Sequence, residues 1–280
     1  MFNDLKLAVN TSIYDGYDLD TTFKSIKNCG FDYFELAYNQ GYVGNLNQDL
    51  FSKENAALIN KLKEKYGLST LALGCTMDLA SEGLTDIFLP RFQFAKMISA
   101  KFINVCTTKS ANKAKLIGNL RFLTPHLKAT DCVLCLENGG DYNFDAFITV
   151  EEGVELLNQL DNEVFAFNFD PGNMLTLNNS LNVKAQSLAS LDYCRYFHIK
   201  DVAIIQDKFR FVPIGQGVID YTAIVPELAK RKIPCSFEIP LRIYRELDST
   251  PKRFDQPAKL SVIEETLIQS REYIEHILES

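Results

Sequence analysis

Short apolar, β-branched and aromatic runs recur along this chain at residues 5–10, 33–38, 70–75, 102–107, 133–137, 164–170, 195–200 and 236–239. After each of them the apolar positions change to helical spacing, over 19–29, 51–66, 84–99, 111–129, 149–160, 181–191, 221–231 and 261–278. The first pattern predicts strands and the second amphipathic helices. Strict strand–helix alternation implies right-handed crossovers and a parallel sheet, and eight repeats favour closure. The expected architecture is a single (β/α)8 TIM barrel of α/β class forming one domain over residues 1–280, with an open doubly wound sheet as the alternative. A barrel of this kind takes about 250 residues, and the chain has 280. No linker interrupts it. The longest irregular piece, 240–259, follows the last strand and is expected to overhang the strands' C-terminal ends.

Four of these strands end in a potential metal ligand: Glu137, Asp170, His198 and Glu238, spaced 33, 28 and 40 residues apart. Strand alternation sends the large apolar residue before each one, Leu136, Phe169, Phe197 or Phe237, to the opposite face. If the ligands point into the barrel, so do Val133 and Cys135, Ala166 and Asn168, Cys194 and Tyr196, and Ser236. The outward set then includes Leu134, Phe167 and Ile239, suited to packing beneath helices. Adjacent strands lie about 4.8 Å apart, so the four ligands can converge. Three carboxylates and one imidazole suit one divalent ion, Mn, Mg, Co or Zn, and leave coordination positions open. The competing reading is a structural ion network with Lys200, Arg242 and Arg245. Lys200 shares the parity of His198 and is a candidate to hold a developing oxyanion, or to pair with a ligand carboxylate.

Charge and cysteine content narrow the partners. A net charge of −7 and a pI near 5.1 oppose nucleic-acid binding and favour a small-molecule partner. There is no apolar run of about 20 residues to span a membrane, and the opening MFNDLKLAVN lacks the basic and apolar regions of a leader. A cytoplasmic protein is expected, with homo-oligomerisation left open. Seven cysteines, an odd number, sit mostly in strand-like runs and read as reduced thiols. Cys132 and Cys135, three apart on one strand, face opposite sides and do not form a redox pair.

The runs LENGGD (136–141), FDPGNM (169–174), FHIKD (197–201), PIGQGVIDY (213–221) and FEIP (237–240) resemble the sugar phosphate isomerase/epimerase superfamily, whose fold is a xylose isomerase-like barrel related to AP endonuclease family 2. The resemblance implies that Glu137, Asp170, His198 and Glu238 hold one divalent ion and that Glu137 and Glu238 also shuttle protons. It implies an isomerase or epimerase acting through an enediolate on a small keto-sugar, sugar phosphate or polyol. The alternatives are a metal-dependent dehydratase of inosose or dehydroshikimate type and a non-catalytic sugar-binding barrel. Ketose 3-epimerases of the tagatose type carry histidine and arginine where this chain has Asn173 and Ile204, which points away from simple free ketohexoses. The related endonuclease IV uses many histidines, whereas this chain has only His126, His198 and His276.

Glu35 and Asn10, inward by parity on the first two strands, are candidates for substrate contact, as are Asn173 and Arg242; Arg245 is a candidate for pairing with a substrate anion. Gly215-Gln216-Gly217 lacks the context of a nucleotide-binding loop and is expected to be a tight turn, with Asp220 capping the next helix.

Overall fold

A computed structural model describes residues 5–39 and 47–280; residues 1–4, which open the N-terminal stretch discussed above, lie outside the described residues. The first half runs β1 (Leu7–Asn10), α1 (Leu19–Asn28), β2 (Tyr33–Ala37), α2 (Lys53–Tyr66), β3 (Ser69–Gly74), α3 (Leu84–Met97), β4 (Phe102–Cys106) and α4 (Lys113–Thr130). It continues through β5 (Val133–Glu137), α5 (Val150–Leu157), β6 (Phe165–Phe169), a short helix α6 (Pro171–Leu177), α7 (Val183–Ser190) and β7 (Cys194–Ile199). Then come β8 (Asp201–Ile204), β9 (Lys208–Val212), α8 (Ile224–Arg231), β10 (Cys235–Phe237), β11 (Ile243–Glu246), β12 (Pro251–Arg253) and α9 (Leu260–Glu279). Strands β1 to β7 and β10 close into a parallel barrel in the order β1-β10-β7-β6-β5-β4-β3-β2. This is the predicted (β/α)8 architecture, not the open sheet.

Local signals start and stop the helices. Asp18 accepts from the Thr21 amide and Ser52 from that of Asn55, while Thr149 and Glu152 form a reciprocal capping box at α5. The expected cap at Asp220 is not formed. Helix α8 starts from Ala223, and Asp220 accepts from the amide and hydroxyl of Thr222 and pairs with Lys184, because a turn intervenes before the helix.

Side-chain parity divides the apolar residues into two layers. Ala8, Leu71, Ala72, Cys135, Ala166 and Tyr196 cluster inside the barrel, with Val133 against them. Leu134, Phe167, Phe169, Phe197, Phe237 and Ile239 join the larger core between barrel and helices. Cys194 corrects the parity reading. The register from β6 jumps from Cys194 to Tyr196, so an extra residue bulges and turns Cys194 outward, where its thiol meets Ser190. Cys132 and Cys135 fall in different layers, and all seven cysteines are free thiols.

Residues 240–259 are less irregular than expected. They carry β11 and β12, which join β8 and β9 in a four-stranded antiparallel sheet, β12-β11-β9-β8, beyond the C-terminal ends of β7 and β10. Alternating burial in Lys208–Val212 shows why it forms: Phe209 and Phe211 face in, while Lys208 and Arg210 stay on the wetter side. Among the described residues no helix is long and apolar enough to cross a membrane.

Candidate metal centre

Each predicted ligand sits at or just past the C-terminal end of its strand, on the side where barrel active sites are built. Glu137 ends β5 and is level with Asn168 on β6; Asp170 lies two residues further on. His198 near the end of β7 is level with Ser236 on β10, and Glu238 again lies two residues further on. This stagger suits strands that tilt in a closed barrel. The four side chains each offer one ligand atom, all within 4.8 Å of one another, and Glu238 alone of the four is only partly buried.

The motif residues hold this geometry. Asp170 begins α6 as its N-cap, accepting from the Asn173 amide at 2.9 Å, and Pro171 takes the position where a missing N–H costs nothing. Asn138 grips the Asp170 backbone from both sides, accepting from its N–H at 2.7 Å and donating to its C=O at 2.8 Å. Gly172 is needed for close approach, since a Cβ there would lie 2.7 Å from Lys200 Cγ. Asp201 gathers the loop after β9: its carboxylate accepts from the amides of Val202, Gly215, Gly217 and Ile219. Gly215, at φ +87°, provides the expected tight turn. The Tyr221 hydroxyl then donates to the Lys200 C=O at 2.7 Å and accepts from its N–H at 2.9 Å. The whole unit fixes Lys200.

Lys200 Nζ lies 2.6 Å from both Asp170 Oδ2 and Glu238 Oε2 and 3.1 Å from Asn173 Oδ1. Asn173 in turn donates to Glu137 Oε1 at 2.6 Å. Asp170 Oδ2 and Glu238 Oε2 therefore meet at one buried ammonium, which serves both as an ion-pair partner. Burial and the Glu238 charge push the Glu137 carboxyl above its ordinary range. Burial would raise Glu238 too, but the charges of Lys200 and His198 outweigh it and hold that carboxyl well down. Burial also opposes the charged forms of His198 and Lys200, and the surrounding carboxylates reverse this for both. Three carboxylates beside an imidazole nitrogen, with ligand atoms all within 4.8 Å of one another, are a set that a divalent cation would satisfy, so the donor set fits one.

A cavity of about 310 Å³ opens onto Glu137, Glu238, Lys200 and Asn173, with Tyr14, Tyr17, Phe144 and Phe211 among its walls. A larger depression, about 960 Å³, lies at the opposite mouth among the strand starts and contains none of the ligands. The structure places three of the expected substrate contacts, Asn10, Glu35 and Arg242, outside the cavity lining. Asn10 and Glu35 are fully buried and do not line the cavity. Asn10 turns back to accept from the Ser12 amide at 3.0 Å. Glu35 lies against His198 from below, 3.0 Å from Nε2, and accepts from Ser236 and Asn104. Arg242 ties loops together instead, donating to the carbonyls of Phe254 and Asp255 and facing Asp15. Arg245 does reach the cavity from β11, where it donates to Asn173 Oδ1 at 2.9 Å and to Thr176 Oγ1. Asn138, Tyr221 and Asp201 were not identified from sequence as parts of the site; only their position within the LENGGD, FHIKD and PIGQGVIDY runs pointed to them.

Residues 23–260 match the family model described as xylose isomerase-like TIM barrel. No curated protein matches the chain. Among solved structures, D-psicose 3-epimerase from Clostridium cellulolyticum H10 is similar over 99% of this chain and 100% of its own, with TM-score 0.75 and 15% identity. The probable 3-DHS dehydratase AsbF from Bacillus anthracis, involved in petrobactin synthesis, is similar over 94% and 97%, with TM-score 0.69 and 14% identity. The IOLI protein, solved with a binding zinc atom, covers 98% of each chain at TM-score 0.71 and 16% identity. Likeness at these identities establishes the fold alone.

Proposed function

Because this chain belongs to the xylose isomerase-like TIM barrel family, we propose that it is a divalent-metal-dependent isomerase or epimerase of a small keto-sugar or related polyol. The observation that carries this reading is the convergence of Glu137, Asp170, His198 and Glu238 within 4.8 Å, with Glu137 and Glu238 open to the cavity. These four residues would hold one ion. When bound, it would supply Lewis-acid polarisation of a substrate carbonyl and its neighbouring hydroxyl.

The protein's own groups do the rest. Glu137 and Glu238 come from strands separated in the barrel by β6 and β7, so a substrate on the cavity floor has a carboxylate from each direction. One carboxylate takes up the proton from the carbon beside the carbonyl, and the other, already protonated from solvent, donates its own: to the opposite face of that carbon for epimerisation, or to the adjacent carbon for isomerisation, where the hydroxyl proton also passes between the two oxygens. Lys200 pairs with Asp170 and helps keep Glu238 ionised, and Asn173 orients Glu137 through their 2.6 Å hydrogen bond. At about 310 Å³ the cavity is at the small end for ligand sites, which run about 300–1,000 Å³, and suits a monosaccharide-sized substrate. Tyr14, Tyr17, Phe144 and Phe211 supply apolar ring surface in the cavity walls.

The test is incubation with ketoses, ketose phosphates and inososes in D2O with Mn2+ or Co2+. Deuterium is expected at a carbon next to the carbonyl, without loss of water, and chelation should abolish exchange. An unsaturated or deoxy-keto product would assign the dehydratase instead. Full activity in metal-stripped protein would overturn the proposal.

A further inference from the structure

Glu35 is a buried carboxylate without access to the cavity, on β2, three strands round the barrel from His198 on β7. Its side chain crosses the interior and places Oε2 and Oε1 at 3.0 and 3.2 Å from His198 Nε2. The other ring nitrogen, Nδ1, faces the ligand carboxylates, at 3.0 Å from Glu238 Oε2, 3.4 Å from Glu137 Oε1 and 3.7 Å from Asp170 Oδ2. The imidazole thus has one nitrogen in each of two carboxylate environments.

We propose that Glu35 is a positioning residue that holds the Nε2 proton of His198, so that the lone pair of Nδ1 is directed at the metal site. This rests on the reading of the four-residue cluster as a metal site and adds a fifth residue, outside the coordination set. The chemistry is one of tautomer selection. A neutral imidazole carries one N–H, and it can serve a cation only through the other nitrogen. A carboxylate at Nε2 fixes which nitrogen that is and makes the ring a stronger donor. Asn168 cannot make this choice, since its amide nitrogen is 3.2 Å from both ring nitrogens and rotating the amide would present its oxygen equally to both. Glu35 is itself held: Ser236 donates at 2.5 Å and Asn104 at 2.9 Å. Gly74 leaves room for it, as a Cβ there would lie 3.2 Å from Glu35 Oε1. Ser236 is level with His198 and two residues before Glu238, so the brace and the metal cluster share strands.

The experiment is calorimetric titration of metal-stripped wild type and Glu35→Gln with Mn2+, joined to 15N NMR of the histidine rings in Zn2+-loaded wild type. Glu35→Gln keeps the shape and the Ser236 contact but removes the charge. Its affinity for Mn2+ is expected to fall about 10- to 100-fold, the usual effect of losing such a partner, with thermal unfolding of the metal-stripped protein showing that it is folded. Wild-type spectra should show His198 protonated at Nε2 and metal-bound at Nδ1, a state that a merely space-filling Glu35 would not impose. Wild type that binds Mn2+, with Glu35→Gln within twofold of it, would overturn this inference and leave the metal site standing. Wild type that binds no ion would overturn the metal site and the inference with it. Should Glu35→Gln fail to fold, the wild-type spectrum decides: Nδ1 protonated and Nε2 metal-bound overturns the proposal.

Discussion

Replacing Lys200 by Met separates a metal centre from a structural ion network. The side chain is buried, its Nζ is 2.6 Å from two carboxylate oxygens, and the surrounding carboxylates keep it cationic despite burial. Methionine fills nearly the same volume, so the change removes charge with little loss of packing. Breaking a buried pair by deleting one partner costs about 3–5 kcal/mol, because the remaining charge is left uncompensated. For a chain of this length each kcal/mol corresponds to about 2 °C in melting temperature, so the metal-free variant should melt about 6–10 °C below metal-free wild type. In the variant the site is more negative, and a divalent ion replaces the lost cation. Thermal scans with and without excess Mn2+ should therefore show a larger rise in melting temperature for the variant than for wild type. A loss of less than about 1 kcal/mol would refute the claim that Lys200 neutralises these carboxylates. A full loss that Mn2+ does nothing to restore would refute the cation site and favour a purely structural cluster.

Three other outcomes check the site and its supports. His198→Ala should weaken divalent-ion binding by calorimetry, while Glu238→Gln should retain much of it and lose about 10²-fold or more in kcat; equal, small effects on kcat would return both residues to a structural role. Tyr221→Phe removes the hydroxyl that satisfies both the N–H and the C=O of Lys200, and should cost about 1–3 kcal/mol by chemical denaturation; an unchanged midpoint would show that water replaces it. Gly217→Ala would put a Cβ 2.1 Å from Asp201 Oδ1 and 2.6 Å from the Val202 carbonyl, so it should destabilise by about 1–3 kcal/mol, and wild-type stability would mean that the loop around Asp201 yields readily.

How much was legible before folding differs from residue to residue. The ligand quartet was visible because parity is local: one strand of alternating residues states which side chains share a face, and four strand ends in succession state that the faces meet. The strands of the overhanging sheet were not expected: Lys208–Val212 alternates, but it stands outside the strand–helix repeat that marked the barrel strands. The helix that starts at Asp170 was missed too: Pro171–Leu177 makes only about two turns, too few for a helical period.

Sequence by itself determined the eightfold alternation, the closed barrel, the inward set of ligands and the family, because each depends on repeats or neighbours along the chain. Tertiary structure alone decided what the polar residues do. Glu35 and His198 are 163 residues apart in sequence, and no periodicity connects an acid on β2 with an imidazole on β7; only barrel closure brings them together. Cys194 had the parity of an inward residue until a bulge reversed it. Arg242 and Arg245 are three residues apart in one loop, yet the antiparallel sheet sends Arg245 to the cavity and Arg242 to Asp15 and the carbonyls of Phe254 and Asp255. Backbone periodicity is set by neighbours along the chain, whereas a long polar side chain goes to whichever partners the finished fold leaves within hydrogen-bonding distance.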